Sequence, residues 1–367
     1  KFEDKIKIFD TLRHPKLIQL YCSDGVTRNV LFKCGEDIRE DQRIIKLFLI
    51  FQSMLVLDAV ECNVKTYEVI PLSINAGLIE FVMNSSSLKS IVSDKSSLDS
   101  SALCRKKYLE SKGKDAVSRH LELWNIDDIN IIQEYDKEVE FGNEMNLKNY
   151  FLEKSCSTDK FVIKRRSFLK DYAHLVYFGY ILGIGDRHLD NILIDDQLEV
   201  FYIDFGCCFN TGLYLSVPEI VPFRLSPNIV TLGYPFGITG VFQETINKSF
   251  KTINKFKDII MDYMKIYTRE PVENWKVLAA KFEVPENSEI NRPTNISQLV
   301  EQRLNVVFKK LSGHSPYKIL MDELKSTNLL NSETRDRILN KIQIYYTELK
   351  KDHREIDSVQ ELIYLAS

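Results

Sequence analysis

The sequence contains no C-x-x-C pair among its seven cysteines, and these show no regular spacing with its six histidines. That excludes a structural zinc module and fits a reducing compartment. Long apolar runs are also missing. The stretch from Ile44 to Val60 is interrupted by Lys46, Gln52 and Asp58, and Ala173 to Ile184 is too short to cross a bilayer, so no membrane partner is expected. Basic charge is nowhere massed: 49 Lys and Arg against 52 Asp and Glu leave a formal charge of −3. There is no electrostatic footprint for gripping nucleic acid directly, so any dependence on DNA must act through partners. The chain opens Lys1-Phe2-Glu3-Asp4, with neither an initiating methionine nor a signal-like segment, and we expect it to be a piece of a longer polypeptide.

What is present suits a folded chain of two lobes: 367 residues, 44% of them apolar. The first eighty residues alternate short apolar or β-branched runs with turn residues. Strands are predicted over Ile6 to Phe9, Lys16 to Tyr21, Val30 to Lys33, Thr66 to Ile70 and Gly77 to Val82. Between the third and fourth, Ile44, Leu47, Phe48, Phe51 and Leu55 recur at helical spacing, which predicts a helix from Arg39 to Asp58 packed on an antiparallel sheet. From Asn84 to about Asp115 the composition turns to Ser and Lys and separates the lobes. A buried helix is predicted over Ser167 to Gly179, then two strands, Ile192 to Ile194 and Glu199 to Ile203. After Pro222 the pattern is helical, strongest through Phe242 to Tyr267, Ser297 to Leu311 and Ser332 to Lys350.

The chemistry concentrates in Gly183-Ile184-Gly185-Asp186-Arg187-His188-Leu189-Asp190-Asn191 and, after the strand pair, Ile203-Asp204-Phe205-Gly206. Phosphoryl transfer from ATP requires an oriented acceptor hydroxyl, a route for its proton, and oxygen ligands that hold Mg²⁺ against the phosphates. Asp186 and Asn191 stand at the Asp-to-Asn spacing of the kinase pattern H-R-D-x-x-x-x-N, and Asp204 opens a D-F-G. The order is reversed to Asp186-Arg187-His188, so Asp186 or His188 can serve the proton. Metal ligation is expected from Asn191 and Asp204. A lone histidine of this kind is ordinarily structural, and a lone D-F-G is ordinarily a strand-end turn. Together at this spacing chance is a poor explanation.

The N-terminal region supplies complementary parts. Lys33, at a strand end, suits an ammonium reaching the α- and β-phosphates, and one of Glu36, Asp37 and Asp41 should pair with it. No G-x-G-x-x-G interrupts the sheet. Phosphate cover is therefore expected from the turn Asp10-Thr11-Leu12-Arg13, through backbone N–H groups and the Thr11 hydroxyl. Glu80, Phe81 and Val82 would connect the lobes beside adenine, with Leu193 and Ile203 closing the pocket from below. A core-strand role is the bland alternative for this stretch.

These segments, with Lys33 to Arg43, Tyr67 to Leu72, Gly77 to Phe81 and Val221 to Ser226, resemble the phosphatidylinositol 3- and 4-kinase superfamily, and within it the related kinases that phosphorylate proteins. Val217 to Leu225, Glu270 to Trp275, Lys310 to Pro316 and Asp322 to Leu324 resemble its DNA-dependent branch. The resemblance implies an α+β, two-lobed protein-kinase-like fold of the phosphatidylinositol 3/4-kinase type, with a small antiparallel-sheet N-lobe and a larger, mainly helical C-lobe. The implied division is 1–82 for the N-lobe, 83–296 for the C-lobe, 297–354 for a helical extension and 355–367 for the start of a C-terminal FATC-like domain. It also adds Tyr67 to the nucleotide pocket.

The implied activity is ATP- and Mg²⁺-dependent phosphorylation (Mn²⁺ substituting) of Ser or Thr followed by Gln in protein substrates. The implied setting is nuclear: repair of DNA double-strand breaks by non-homologous end joining, with a Ku heterodimer and DNA ends engaged through other parts of the longer chain. Three departures stand out. Phe81 replaces a customary tryptophan, Cys207-Cys208 follow the D-F-G, and Asp190 is reminiscent of lipid kinases. Lipid kinases that bind phosphorylated inositol tend to carry Lys or Arg in the activation loop, and Asp204 to Pro222 contains neither, which favours a protein acceptor. Phosphatidylinositol kinases and a catalytically dead scaffold are the alternatives.

Overall fold

Five strands, β1 (Lys7–Ile8), β2 (Lys16–Tyr21), β3 (Thr27–Cys34), β4 (Val69–Ser73) and β5 (Ala76–Glu80), form one antiparallel sheet in the order β1-β2-β3-β5-β4. The structure, a computed structural model, describes residues 6–10, 13–93, 144–215, 219–269, 296–326, 332–352 and 357–366. Helix α1 (Arg39–Leu57) packs on this sheet as its periodicity demands, with Ile44, Leu47, Phe48, Phe51 and Leu55 all buried. β4 differs from expectation. It begins three residues late and runs through Pro71, which lacks an N–H; the strand tolerates this because it is an edge strand with an irregular register between Pro71 and Ser73.

A second sheet, β6 (Ser86–Ser87), β7 (Ile192–Ile194) and β8 (Val200–Tyr202), floors the cleft between the lobes. The larger lobe comprises α2 (Leu88–Val92), α3 (Asn146–Lys154), α4 (Thr158–Leu182), α5 (Pro227–Leu232), α6 (Val241–Lys255) and α7 (Lys257–Tyr267). After it come α8 (Ile296–Leu311), α9 (Pro316–Ser326), α10 (Ser332–Asp352) and α11 (Ser358–Ala366). α4 is longer than predicted because Ser157 caps the Lys160 N–H and a polar, Lys/Arg-rich first half precedes the buried run Asp171 to Leu182. The single helix predicted over Phe242 to Tyr267 is broken at Phe256. Buried Ile253 and Ile260 are seven residues apart, two helical turns, so the periodicity passes through the break unchanged. The predicted Ser- and Lys-rich stretch lies mostly outside the described residues.

The core joins both lobes. Phe178 of α4 meets Phe48 (5.6 Å) and Phe51 (5.1 Å) of α1, and Phe48 meets Phe205 edge-on at 5.8 Å. Phe205 is fully buried, so its ring fixes where the adjacent Asp204 emerges.

The end of α1 and the loop after it are pinned to the larger lobe. Asp58 accepts from Thr252 and Lys255, Glu61 from Lys170, and Lys65 bridges Asp195 (2.6 Å) and Glu199 (2.9 Å). Exposed pairs of this kind contribute little singly, but Asp195 is buried. His174 adds a buried contact: its Nε2 lies 3.0 Å from the Glu61 carbonyl and its Nδ1 2.8 Å from Ser249 Oγ. Burial pushes this imidazole down to about 4. The unfolded chain takes up the proton near pH 6.5, so this site's stability falls as pH drops from about 6.5 to about 4, by about 2–3 kcal/mol at pH 4.5. Asp171, pushed up by burial to about 6, works in the opposite sense, because the folded state takes its proton first. The stability gap between wild type and His174→Gln, from urea unfolding, should therefore narrow by about 2–3 kcal/mol between pH 7 and pH 4.5. An unchanged gap would mean that His174 is not held neutral.

Candidate active site

α4 ends at Gly183 in the left-handed region (φ 58), and the chain turns into the loop that carries Asp186. Asp186 is itself left-handed (φ 56), as is Asp204 (φ 60). Non-glycine residues hold this conformation only where the surroundings enforce it. Here Asn191 Nδ2 donates to the Asp186 carbonyl (2.9 Å), and Glu219 Oε2 accepts from the Asp186 N–H (2.5 Å). The Ile203 N–H donates to the Asn191 carbonyl (3.1 Å), which sets Asn191 beside the base of the Asp204 turn.

Arg187 ties these pieces together. It is buried, and its guanidinium donates to the carbonyls of Gly185 (2.8 Å), Ile203 (2.9 Å) and Asp204 while lying over the rings of Tyr202 (5.1 Å) and Phe205 (5.8 Å). Sequence reasoning assigned it no role. The signal was its place between Asp186 and His188, but which carbonyls a five-donor fork would collect is not written in local spacing.

Across the cleft, Lys33 Nζ pairs with Glu36 Oε1 at 3.2 Å. Burial works against its ammonium, but the carboxylates of Asp41, Glu36 and Asp204 outweigh that and hold it above the usual lysine value. Burial pushes Asp41 up to about 6, with Lys33 pulling it down and Asp204 adding to the rise. Asp41 also accepts the Phe205 N–H (3.4 Å), so α1 touches the D-F-G turn directly. The predicted partner set of Lys33 thus resolves into Glu36 in contact and Asp41 behind it, whereas Asp37 is taken by Arg39.

The remaining predicted residues are distributed around this centre. Arg13 bonds Glu36 (2.7 Å) and the Gly35 carbonyl (3.1 Å), which brings Arg13 beside the Lys33–Glu36 pair; Thr11 and Leu12 lie outside the described residues. The Phe81 ring meets Phe9 at 5.8 Å. The N–H groups of Glu80 and Phe81 are already given to the carbonyls of Glu68 and Asn29, so the expected hinge donor narrows to Val82. Leu193 and Ile203 are half-buried on the cleft floor. Tyr67 is fully packed, edge-on to Phe201 at 6.1 Å, and backs the pocket. His188 is exposed, 4.0 Å from Asp190, and Asp190 is engaged by Lys89 (3.0 Å) and Ser87 (3.3 Å). The aspartate that looked lipid-kinase-like thus ties the catalytic loop to the segment after the hinge.

Among the described residues no three His, Cys, Asp or Glu side chains gather as a metal site. The candidate pair is different: with Asn191 Nδ2 spent on Asp186, its amide oxygen is the atom left for a cation, alongside the exposed Asp204 carboxylate as a second candidate donor. Two hard oxygen donors, with further places for phosphate and water, suit Mg²⁺ or Mn²⁺ better than softer ions.

A sheet-and-helix lobe contributing a lysine, set over a helical lobe contributing Asp, Asn and a D-F-G, defines a two-lobed kinase fold of the phosphatidylinositol 3/4-kinase type. The chain belongs to the phosphatidylinositol 3- and 4-kinase family, whose model matches residues 28–277. It is similar to the DNA-dependent protein kinase catalytic subunit of Xenopus laevis, at 28% identity over 359 residues covering 92% of this chain and 9% of that protein. It is also similar to the serine/threonine-protein kinase TEL1 of Candida glabrata, at 30% over 319 residues covering 83% and 11%. The solved FAT and kinase domain of CtTel1 superposes with a TM-score of 0.68 at 25% identity, covering 90% of this chain and 23% of that one. The chain thus spans about a tenth of the length of these curated relatives.

Proposed function

We propose that this chain transfers the γ-phosphate of ATP to serine or threonine hydroxyls of proteins. The observation that carries the reading is the meeting of Lys33 and Asp41 with Asp204 across one cleft, while the Arg187 fork gathers the carbonyls of Gly185, Ile203 and Asp204 and Asn191 Nδ2 donates to the Asp186 carbonyl. Lys33 faces the α- and β-phosphates, the β1–β2 turn with Arg13 covers them, and adenine lies between Phe81 and Val82 above and Leu193 and Ile203 below. Asn191 and Asp204 would hold Mg²⁺ or Mn²⁺, which when bound would neutralise charge on the phosphates. Asp186 orients the acceptor hydroxyl and takes its proton, with the exposed His188 as the second group able to do so. The acceptor oxygen attacks the γ-phosphorus in line, the bond to the β–γ bridging oxygen breaks, and ADP leaves. Positioning and charge neutralisation supply the catalysis.

A protein acceptor is supported by the relatives named serine/threonine-protein kinases and by the absence of Lys and Arg from Asp204 to Pro222. The further proposals are a preference for Ser or Thr followed by Gln, a nuclear role in double-strand break repair by end joining, and Ku and DNA ends as partners of the longer chain. We further assign residues 1–82 to the N-lobe, 83–296 to the C-lobe, 297–354 to a helical extension and 355–367 to the start of a FATC-like domain. The test offers purified protein a Ser-Gln peptide and phosphatidylinositol side by side with labelled ATP. Label in the peptide is expected. Label only in lipid would overturn the acceptor assignment, and no label with no Mg·ATP binding by calorimetry would make the chain a scaffold.

A further inference from the structure

Asp186 occupies a left-handed backbone conformation in which both flanking peptides are pinned. Its carbonyl is held from within the catalytic loop by Asn191, but its N–H is held by Glu219, thirty-three residues further on. Glu219 belongs to the activation loop, and its own N–H donates to the Gly212 carbonyl (3.1 Å), which closes that loop upon itself. The carboxylate sits in a slot between two glycines. A Cβ on Gly185 would come within 2.6 Å of Glu219 Oε2 and one on Gly212 within 2.8 Å, so the absence of both side chains is what admits it. The slot opens onto a cavity of about 70 Å³ behind the catalytic loop, lined also by Asn210, Lys310 and Glu323. This cavity is separate from the cleft that holds Lys33.

We propose that Glu219 is a positioning residue that sets Asp186 for the acceptor hydroxyl, so that the arrangement of the activation loop is read directly by the catalytic aspartate. A charged acceptor on a backbone N–H makes a short, strong bond. It fixes one of the two peptides whose rotation would swing the Asp186 side chain off its target. The link is one-sided in chemistry. Lys33, Asn191 and Asp204, which face nucleotide and cation, do not touch Glu219, so nucleotide binding should not sense its loss while transfer to the acceptor should. An acceptor segment laid against the activation loop would then tune the orientation of Asp186 as it docks. This inference rests on the phosphotransferase reading above.

The test compares Glu219→Ala, Glu219→Gln and Gly212→Ala in the full-length protein, with peptide phosphorylation, Mg·ATP calorimetry and hydrogen exchange of segment 183–191. Displacement of about an ångström at a reacting group costs up to roughly 100-fold in rate. We expect Glu219→Ala to lower kcat by roughly 10- to 100-fold, with the KM for ATP and the Mg·ATP affinity unchanged within about threefold. Exchange in segment 183–191 should accelerate. Glu219→Gln still offers a side-chain oxygen and should recover at least half of the loss on a logarithmic scale. Gly212→Ala keeps the carboxylate but crowds it out, and should reproduce the same kcat signature even if Glu219→Ala proves too unstable to assay. Unchanged kcat in both Glu219→Ala and Gly212→Ala, or unchanged exchange in segment 183–191, overturns the proposal and leaves the phosphotransferase reading standing. Wild-type protein that labels no peptide overturns that reading instead.

Discussion

Asp204→Asn is expected to reduce phosphate transfer by roughly 10³-fold or more while shifting the thermal midpoint by less than about 2 °C. Asparagine is the informative replacement because it tolerates the left-handed backbone that Asp204 adopts, so lost activity cannot be charged to strain at that residue. The side chain is exposed and carries no core packing, which belongs instead to the neighbouring Phe205. What the substitution removes is one negative oxygen from the proposed cation pair and one of the carboxylates that sustain the Lys33 ammonium. Steady-state kinetics on a peptide, with a melting curve of the same preparation, checks both halves. Full activity in a folded Asp204→Asn protein would refute the metal assignment, and a large fall in the midpoint would reassign Asp204 to structure.

Arg187→Ala should lose both activity and stability. Removing the guanidinium strands three carbonyls and opens a space over Tyr202 and Phe205, with a cost of about 3–5 kcal/mol. The activity loss should match or exceed that of Asp204→Asn, since the fork is what joins the Asp186 loop to the Asp204 turn. Arg187→Lys separates the two effects. Lysine keeps the charge but cannot reach three carbonyls from one plane, so it should regain part of the stability and little of the rate. Urea unfolding with parallel kinetics reads both, and a lysine variant with normal kcat would show that charge alone suffices.

The elements that repeat a local period were legible in the chain. Helix α1 follows from five apolar residues at helical spacing, and the pair β7 and β8 from short apolar runs around the turn at Asp195-Asp196. Where local pattern and tertiary context disagree, the context decided. Pro71 lies within a strand because nothing pairs on its outer side, and the bend at Phe256 falls at a point where two successive helices happen to share a face. The grouping of the candidate site was legible in the same measure. Asp186, Asn191 and Asp204 are close in sequence and bound to one loop and one strand pair. The contacts of Arg187 and Glu219 were hidden, since a carboxylate thirty-three residues from its amide, admitted by two glycines, leaves no mark that spacing can carry. Which of Glu36, Asp37 and Asp41 would meet Lys33 was likewise open in the sequence, and it was decided by Arg39, which takes Asp37.

The most direct measurement is binding of Mn²⁺ with a non-hydrolysable ATP analogue, followed by electron paramagnetic resonance, in wild type, Asn191→Ala, Asp204→Asn and Lys33→Met proteins. Tight, analogue-dependent Mn²⁺ binding in wild type that is lost with Asp204→Asn, weakened with Asn191→Ala, and uncoupled from nucleotide with Lys33→Met is the expected result. Manganese and nucleotide that bind equally well to all four proteins would place the triphosphate elsewhere and contradict the account.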